Sequence, residues 1–208
     1  MATSAALATA LHQRYALPND FVVVPNAGLP PLDHSIGAPD GPFVYYGSIA
    51  DWKGLDLVIH ASRDAQIPLK IVGGSTKEWQ RLSEQIDVNG IVWQPRVAPD
   101  KLSQVLMGAR AGLIPTQPET PSGRYSCPMK LFDYARCGLP VISTALPSLK
   151  SLDVGSWCVQ VPTSTREAWT EALKNFRYDA KQADEARPWA GRHTWAQRAE
   201  VLKNAFRV

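Results

Sequence analysis

Short, largely apolar runs alternate with helical segments along almost the whole chain, and this alternation limits the fold more than any other feature. Runs without polar alternation are typical of parallel strands that are covered on both faces. We predict strands at Phe21–Pro25, Phe43–Tyr46, Leu69–Val72, Ile91–Trp93, Ala111–Pro115, Pro140–Ser143 and Trp157–Val161, and helices after Met1 and at Leu55–Ser62, Lys77–Ile86, Asp100–Ala109, Met129–Cys137 and Thr165–Phe176. This order predicts an α/β fold with a single Rossmann-like, doubly wound parallel sheet.

The length of the chain indicates one domain. Its 208 residues are 45% hydrophobic and 20% charged, which is ordinary for a globular protein with a real core. We predict that residues 1–208 form this one domain, and that 187–208 is a C-terminal helix that would cross to an N-terminal domain. Within it, the segment Trp195–Phe206 is amphipathic, since its apolar residues recur at helical spacing.

Several classes of protein are excluded by motifs that the sequence lacks. There is no GxGxxG, which counts against a dinucleotide dehydrogenase, and no GxxxxGK[ST], which counts against a P-loop NTPase. DxD is absent and the four histidines are far apart, so we predict no metal site. Lysines and arginines are scattered and the net charge is only +3, so we predict no nucleic-acid partner.

The residues that follow each predicted strand are the candidates for a binding site, because ligands of open α/β sheets bind beyond the carboxyl ends of the strands. Gly47 and Gly73 follow two strands, and a glycine there lets a ligand approach the backbone. Lys53 opens the next helix, from which it can reach a diphosphate. Arg96 and Val97 lie in a turn before a further helix.

The segment from residue 114 to residue 144 contains the strongest signal. A strand leads into a loop rich in Pro, Ser and Gly, and a helix then begins near Pro128 and ends at Gly138. The start of a helix offers free N–H groups and partial positive charge, so it attracts anions. Lys130 in the first turn is unfavourable for the helix dipole unless an anion lies there, and Asp133 shares its face.

The order of these segments resembles the donor-binding domain of family-4-type GT-B glycosyltransferases, that is, the C-terminal half of the GT-B fold. The resemblance spans residues 3–206 and rests on FVYYGSIADWKGLDLVIHA, LKIVGG, IVWQPRV, LIPT and above all PMKLFDYARCGLPVIST, with VVVPNAG similar to the family's IPNG segment. It implies an enzyme that transfers a sugar from a nucleoside diphosphate sugar, linked to UDP or GDP, to a glycan or lipid-linked acceptor without a metal or other cofactor.

The resemblance also implies a role for each matching position. Asp133 corresponds to the second acid of the EX7E motif, which binds the ribose hydroxyls, and Lys53 corresponds to the lysine that contacts the diphosphate. Arg96 and Val97 correspond to the turn that binds the base through backbone groups. The phosphates and the sugar are expected at the loop and helix start, at Arg124, Tyr125, Ser126, Cys127, Met129 and Lys130. Lys53, Lys130 and Glu119 are the candidate catalytic residues.

The chain departs from the family pattern at two positions. Tyr125 stands eight residues before Asp133, where the first EX7E glutamate is expected, and Glu119 is the nearby acid that could replace it. Ser48 follows Gly47 where many relatives have arginine, and Arg124 could supply that charge from another loop. The PMK segment also resembles inverting glucuronosyltransferases of xanthan-type polysaccharide assembly, so both stereochemical outcomes stay open.

Partners and location follow from the same resemblance. It implies an N-terminal acceptor domain, in the same protein or in a partner chain, and peripheral contact with a membrane through the acceptor. Three cysteines without CxxC spacing indicate a reducing compartment, so we expect the cytoplasm, at the inner face of the plasma membrane. A non-catalytic sugar-nucleotide-binding subunit and a GT-B-like epimerase are the alternative functions.

Overall fold

The fold is a single parallel sheet covered by helices on both faces, as seen in a computed structural model that describes residues 1–17 and 21–206. Six strands form the sheet in the order β3-β2-β1-β4-β5-β6, and every neighbouring pair is parallel. They are β1 Phe43–Tyr46, β2 Leu69–Val72, β3 Val92–Gln94, β4 Ala111–Ile114, β5 Val141–Thr144 and β6 Cys158–Val161. This order confirms the predicted Rossmann-like, doubly wound architecture.

Ten helices connect and cover these strands within the described residues. They are α1 Ala5–Tyr15, α2 Leu55–Ala65, α3 Thr76–Gln85, α4 Leu102–Leu106, α5 Pro121–Tyr125, α6 Met129–Arg136, α7 Pro147–Lys150, α8 Arg166–Asn175, α9 Ala180–Gly191 and α10 Trp195–Phe206. The helix predicted at Asp100–Ala109 is shorter than expected, because a 3-10 turn at Pro99–Lys101 precedes α4 and Gly108 adopts a positive φ after it. Helices α5, α7 and α9 were not predicted.

The strand predicted at Phe21–Pro25 is wrong. Val23 forms only an isolated bridge with Ala2, and the sheet itself begins at β1. The backbone of Ala2 donates to the Val22 carbonyl and accepts from the Val24 amide, so one residue of the N-terminal segment supplies all of this pairing. An apolar run forms a strand only where a neighbouring chain offers a ladder of hydrogen bonds.

Two clusters of buried side chains hold the helices to the two faces of the sheet. On one face, residues such as Val44, Ile114 and Leu131 join the sheet to α4, α6 and α9. On the other face, residues such as Tyr45 and Leu113 join it to α2 and α8. Successive residues of β1 therefore belong to opposite clusters, as expected of a strand buried on both sides.

Tyr134 fastens α6 to the centre of the sheet, where strands β1 and β4 begin to separate. Its hydroxyl accepts from the Tyr46 amide at 3.1 Å and donates to the Val44 carbonyl at 3.2 Å. Its ring lies flat on Gly112 of β4, where an added β-carbon would come within 2.5 Å of the ring. The register of β1 and β4 pairs only Phe43 with Ala111 and Val44 with Gly112, so a crevice opens beyond them.

Gly112→Ala is expected to destabilise the domain by about 1–3 kcal/mol, because its methyl group overpacks the space that the Tyr134 ring fills. Urea unfolding measures this loss. Gly191→Ala at the end of α9 is the matched control, since an added β-carbon there meets only Pro31 at an ordinary 3.9 Å. Equal free energies of unfolding for the two variants would contradict the role assigned to Tyr134.

The C-terminal segment confirms the helix predicted at Trp195–Phe206, whereas the prediction of a single helix over 187–208 is wrong, because a turn divides this segment. Residues 187–191 complete α9, a turn follows, and α10 then begins at Trp195, while residues 207–208 lie outside the described residues. The Trp189 and His193 rings stack at 4.0 Å across this turn. None of the helices in the described part of the chain is long and apolar enough to cross a membrane.

Candidate donor-binding site

A cavity of about 380 Å³ lies beyond the carboxyl ends of β1, β2 and β3. It opens beside the point where the strand order reverses between β1 and β4, which is where open α/β sheets bind their ligands. Its lining comes from all three strand ends, from α4 and α6 and from one loop: Leu29, Tyr46, Gly47, Ser48, Val72, Gly73, Arg96, Val97, Pro99, Leu102, Asp133 and Arg136. The predicted Gly47, Ser48, Gly73, Arg96, Val97 and Asp133 thus lie together.

Two glycines keep the strand ends open and close to each other. Gly47 and Gly73 have φ values of +141° and +132°, which side chains of L-residues rarely adopt. A β-carbon on Gly73 would lie 2.1 Å from the Gly47 carbonyl oxygen, and one on Gly47 would lie 2.8 Å from the ε-carbon of Lys130. Both positions therefore require glycine, and the backbone at the cavity wall stays accessible.

Lys130 lies against Gly47, and its charge is linked through Lys53 to Arg96. The Lys130 ammonium lies 3.8 Å from the centre of the Tyr45 ring, which is a cation–π contact. Burial, and next the charge of Lys53, holds the pKa of Lys130 well below its usual value. Burial, and next the charge of Arg96, lowers the pKa of Lys53. Lys53 is therefore near enough to repel both Arg96 and Lys130, and of these three side chains only Arg96 lines the cavity itself.

None of these cations forms a salt bridge within residues 1–17 and 21–206, although the charge of Arg96 contributes, after the hydrogen bonds from Ser75, to lowering the pKa of Glu78. The four salt bridges found there involve Arg63, Arg166, Arg187 and Lys203, and none includes Lys53, Arg96 or Lys130. The first turn of α6, which holds Lys130, also has no acidic residue and no side-chain cap. Clustered positive charge at an uncapped helix start favours an anion with several negative oxygens, such as a diphosphate.

Asp133 is the one carboxylate among the described residues that line the cavity. Its Oδ2 atom accepts a hydrogen bond from the Tyr46 hydroxyl, and Arg136 lies one helical turn further along α6. Burial raises the pKa of Asp133, while the Tyr46 hydrogen bond and the charge of Arg136 act in the opposite direction. A half-buried carboxylate with a second oxygen free can accept hydrogen bonds from vicinal hydroxyls, as a ribose offers.

The structure does not bring every predicted site residue to the cavity. The Glu119 carboxylate lies 3.5 Å from the Ser164 hydroxyl, because Thr120 caps α5 and the chain turns away before it. Arg124 is exposed on α5, Ser126 bonds back to Ser122, and the Tyr125 carbonyl accepts from Ser4. Glu119 therefore does not line this cavity, and its position does not support the prediction that it replaces the missing EX7E glutamate.

Cys127 and Met129 flank the start of α6 with different exposure. The Cys127 side chain is buried, its carbonyl accepts from Asn26 at 2.7 Å, and burial raises the pKa of its thiol to about 11. A thiol with so high a pKa is not a reactive thiolate at neutral pH. Met129 is 42% exposed at the first position of α6, beside the cation cluster of Lys53, Arg96 and Lys130.

Sequence reasoning missed several lining residues, of which Tyr46 and Arg136 are polar. Both were within reach of pattern arguments. Tyr46 directly precedes Gly47 at the end of a strand, and Arg136 follows Asp133 at helical spacing, so each had to lie near a predicted site residue. Leu29, Val72, Pro99 and Leu102 complete the apolar wall.

Comparison with known proteins points to one family. A family model described as "Glycosyl transferases group 1" matches residues 41–178, which is more than half of the chain. The match includes β1 to β6 and every residue of the cation cluster. A search of curated protein sequences found no match.

Solved structures with the same fold include several glycosyltransferases. The chain is similar to a protein of the GtfA/B complex, at 17% identity and a TM-score of 0.72, with 97% of this chain and 42% of that chain covered. It is similar to HepE of Anabaena in complex with UDP, at 15% identity and a TM-score of 0.70, with 100% of this chain and 63% of that chain covered. It is also similar to WaaG, a glycosyltransferase involved in lipopolysaccharide biosynthesis, at 20% identity and a TM-score of 0.68, with 99% of this chain and 61% of that chain covered.

Proposed function

The chain belongs to the group 1 glycosyltransferases, and we propose that it binds the nucleoside diphosphate sugar of an enzyme that transfers the sugar to a glycan or lipid-linked acceptor. The observation that carries the proposal is the cluster of Lys53, Arg96 and Lys130 beside a cavity that Arg96 and Asp133 line, with Lys130 packed against Gly47 of the cavity wall. The cations suit a diphosphate, and the carboxylate suits a ribose. HepE of Anabaena, which has the same fold, binds UDP and UDP-glucose.

The catalytic part of the proposal rests on the negative charge that develops on the diphosphate during transfer. When the sugar leaves, negative charge grows on the diphosphate, and cations that are already fixed in place stabilise it without reorganising. Lys53 and Lys130 are therefore the proposed electrostatic catalysts, and Arg96 joins them from the cavity wall. Since three side chains supply this positive charge, we propose that donor binding needs no divalent metal and no other cofactor.

The remaining elements of the proposal concern partners and place. The chain spans between 42% and 63% of the length of the solved structures described above. We propose that an N-terminal acceptor domain, in the same protein or in a partner chain, completes the cleft. We further propose a role in polysaccharide biosynthesis in the cytoplasm, at the inner face of the plasma membrane. The three free, buried cysteines fit that reducing compartment.

Calorimetric titration with UDP and with GDP, each in EDTA, is the direct test of this proposal. We expect binding of at least one of them in the micromolar range, and an affinity within about twofold of that measured in Mg²⁺, because the protein supplies the cations. UMP is the matched control ligand and is expected to bind more weakly, since it lacks one phosphate for the cation cluster. Binding that disappears in EDTA would contradict the metal-free proposal, and no binding in either buffer would contradict donor binding itself.

A further inference from the structure

The clearest feature that the family resemblance does not explain is the contact between Tyr46 and Asp133. Tyr46 is the last residue of β1, Asp133 lies on α6, and 87 positions separate them. The Tyr46 hydroxyl donates to Asp133 Oδ2, and no described residue donates a hydrogen bond to Oδ1 of the same carboxylate. We propose that Tyr46 is a positioning residue that holds the Asp133 carboxylate in the orientation that binds the ribose hydroxyls of the donor. This inference rests on the proposed function.

The tyrosine is itself held firmly, which a positioning residue must be. Its ring packs edge-on against Tyr134 with centroids 5.3 Å apart, and its backbone amide donates to the Tyr134 hydroxyl at 3.1 Å. Tyr134 is fully buried and is the residue next to Asp133 on α6. Tyr46 and the helix α6 that carries Asp133 are therefore both held by Tyr134 at the same point of the sheet.

The hydrogen bond also favours the ionised form of Asp133. Burial disfavours the carboxylate, and the Tyr46 hydroxyl and the Arg136 guanidinium oppose that effect. Tyr134 and Cys137, the other titratable neighbours from α6 and its end, are both buried and have pKa values raised by burial, so they stay neutral near pH 7. The ionised carboxylate is an acceptor on both oxygens and forms charge-assisted hydrogen bonds, whereas protonation turns one oxygen into a donor. Tyr46 thus favours both the orientation and the charge that a ribose requires.

Tyr46→Phe is the variant that removes the hydroxyl and keeps the ring that packs on Tyr134. We expect UDP affinity to fall about threefold to tenfold, the effect of one hydrogen bond. Asp133→Asn should weaken UDP binding by about tenfold or more, because it removes the charge from the acceptor. In the Asp133→Asn background, Tyr46→Phe should have almost no further effect, because both changes then act on one interaction.

Two further readouts separate positioning from a purely structural role. Tyr46→Phe should raise the pKa of Asp133, measured by NMR in the ligand-free protein, so that UDP binding is lost at a higher pH on the acid side. Dideoxy-UDP, which lacks both ribose hydroxyls, should bind wild type and Tyr46→Phe equally. Tyr178→Phe, which removes a hydroxyl that packs against Gly37, is the matched control and should change none of these values.

The possible results distinguish this inference from the proposed function. If wild type binds UDP but Tyr46→Phe binds it equally well, or if the two substitutions are additive, Tyr46 does not act through Asp133. An unchanged Asp133 pKa in Tyr46→Phe would overturn the inference whether or not any nucleotide binds. If wild type binds neither UDP nor GDP while the Asp133 pKa shifts as expected, the proposed function fails and the contact alone is confirmed.

Discussion

Lys130→Met is expected to weaken UDP binding by about 1.5–3 kcal/mol, roughly tenfold to a hundredfold, while making the ligand-free domain more stable. Lys130 is only partly exposed, and its ammonium faces the Tyr45 ring and is repelled by Lys53. Without a ligand this charge is therefore unfavourable, and a bound diphosphate turns it into a favourable one. Methionine keeps most of the volume and removes the charge, so the two effects should have opposite signs.

The pH dependence of stability follows from the lowered pKa of Lys130. In the unfolded chain the ammonium keeps its proton up to its usual pKa of 10.5, whereas the folded protein releases it at a lower pH. Between these two values the unfolded state binds more protons, so the stability of the wild type rises with pH. The advantage of Lys130→Met should therefore be full below the folded pKa and should shrink as the pH approaches 10.5.

Calorimetry in buffers of different ionisation enthalpy tests the same lysine through its proton. Bound UDP should raise the pKa of Lys130, so wild type takes up a proton on binding and its affinity falls as the pH rises between the free and bound values. Measured at about pH 8.5, where the phosphates are fully ionised, this uptake should vanish in Lys130→Met. Lys150→Met, at an exposed position at the end of α7, is the control. Equal proton uptake in all three proteins would contradict the role of Lys130.

Much of the fold could be predicted because burial on both faces leaves a direct trace in the sequence. All six strands of the sheet follow apolar runs, and their bounds agree within about one residue with those expected. The run at Phe21–Pro25 has the same apolar pattern but forms only an isolated bridge. The residues of a run do not reveal whether another strand will lie beside it. Helix α9 was missed because its buried positions are mostly small alanines, and Pro188 inside it indicated a break.

The site could be predicted only in part, for a different physical reason. Glycines at strand ends have a meaning that local position alone conveys, so Gly47 and Gly73 could be predicted and they line the cavity. Lys53 does not line it, and its contact with a diphosphate stays a prediction. The partnership of Tyr46 with Asp133 depends on how α6 is seated on the sheet, which Tyr134 and Gly112 determine together. Glu119 shows the converse, since it is near the helix start in sequence while the turn into α5 directs it to Ser164.

The 208 residues alone are expected to bind the donor and to transfer no sugar to an acceptor. The chain spans at most 63% of the solved glycosyltransferase structures described above, and its cavity is one wall built on a single sheet. Transfer requires the donor carbon and the acceptor hydroxyl to be held in near-attack geometry, which supplies about 7–11 kcal/mol of the barrier reduction. Without the second wall, that contribution should be lost almost completely.

Slow hydrolysis of the donor is the activity that should survive, because Lys53 and Lys130 still stabilise the diphosphate as it leaves. Labelled UDP-glucose and other nucleotide sugars, incubated with the chain and a membrane extract as the source of acceptor, separate the two outcomes. If wild type releases free sugar and Lys130→Met releases less, Lys130 stabilises the leaving diphosphate. A converted nucleotide sugar that forms without an acceptor would instead indicate an epimerase. Robust transfer of sugar to the extract by these residues alone would mean that the acceptor also binds on this one sheet. The proposal that an N-terminal acceptor domain completes the cleft would then be wrong.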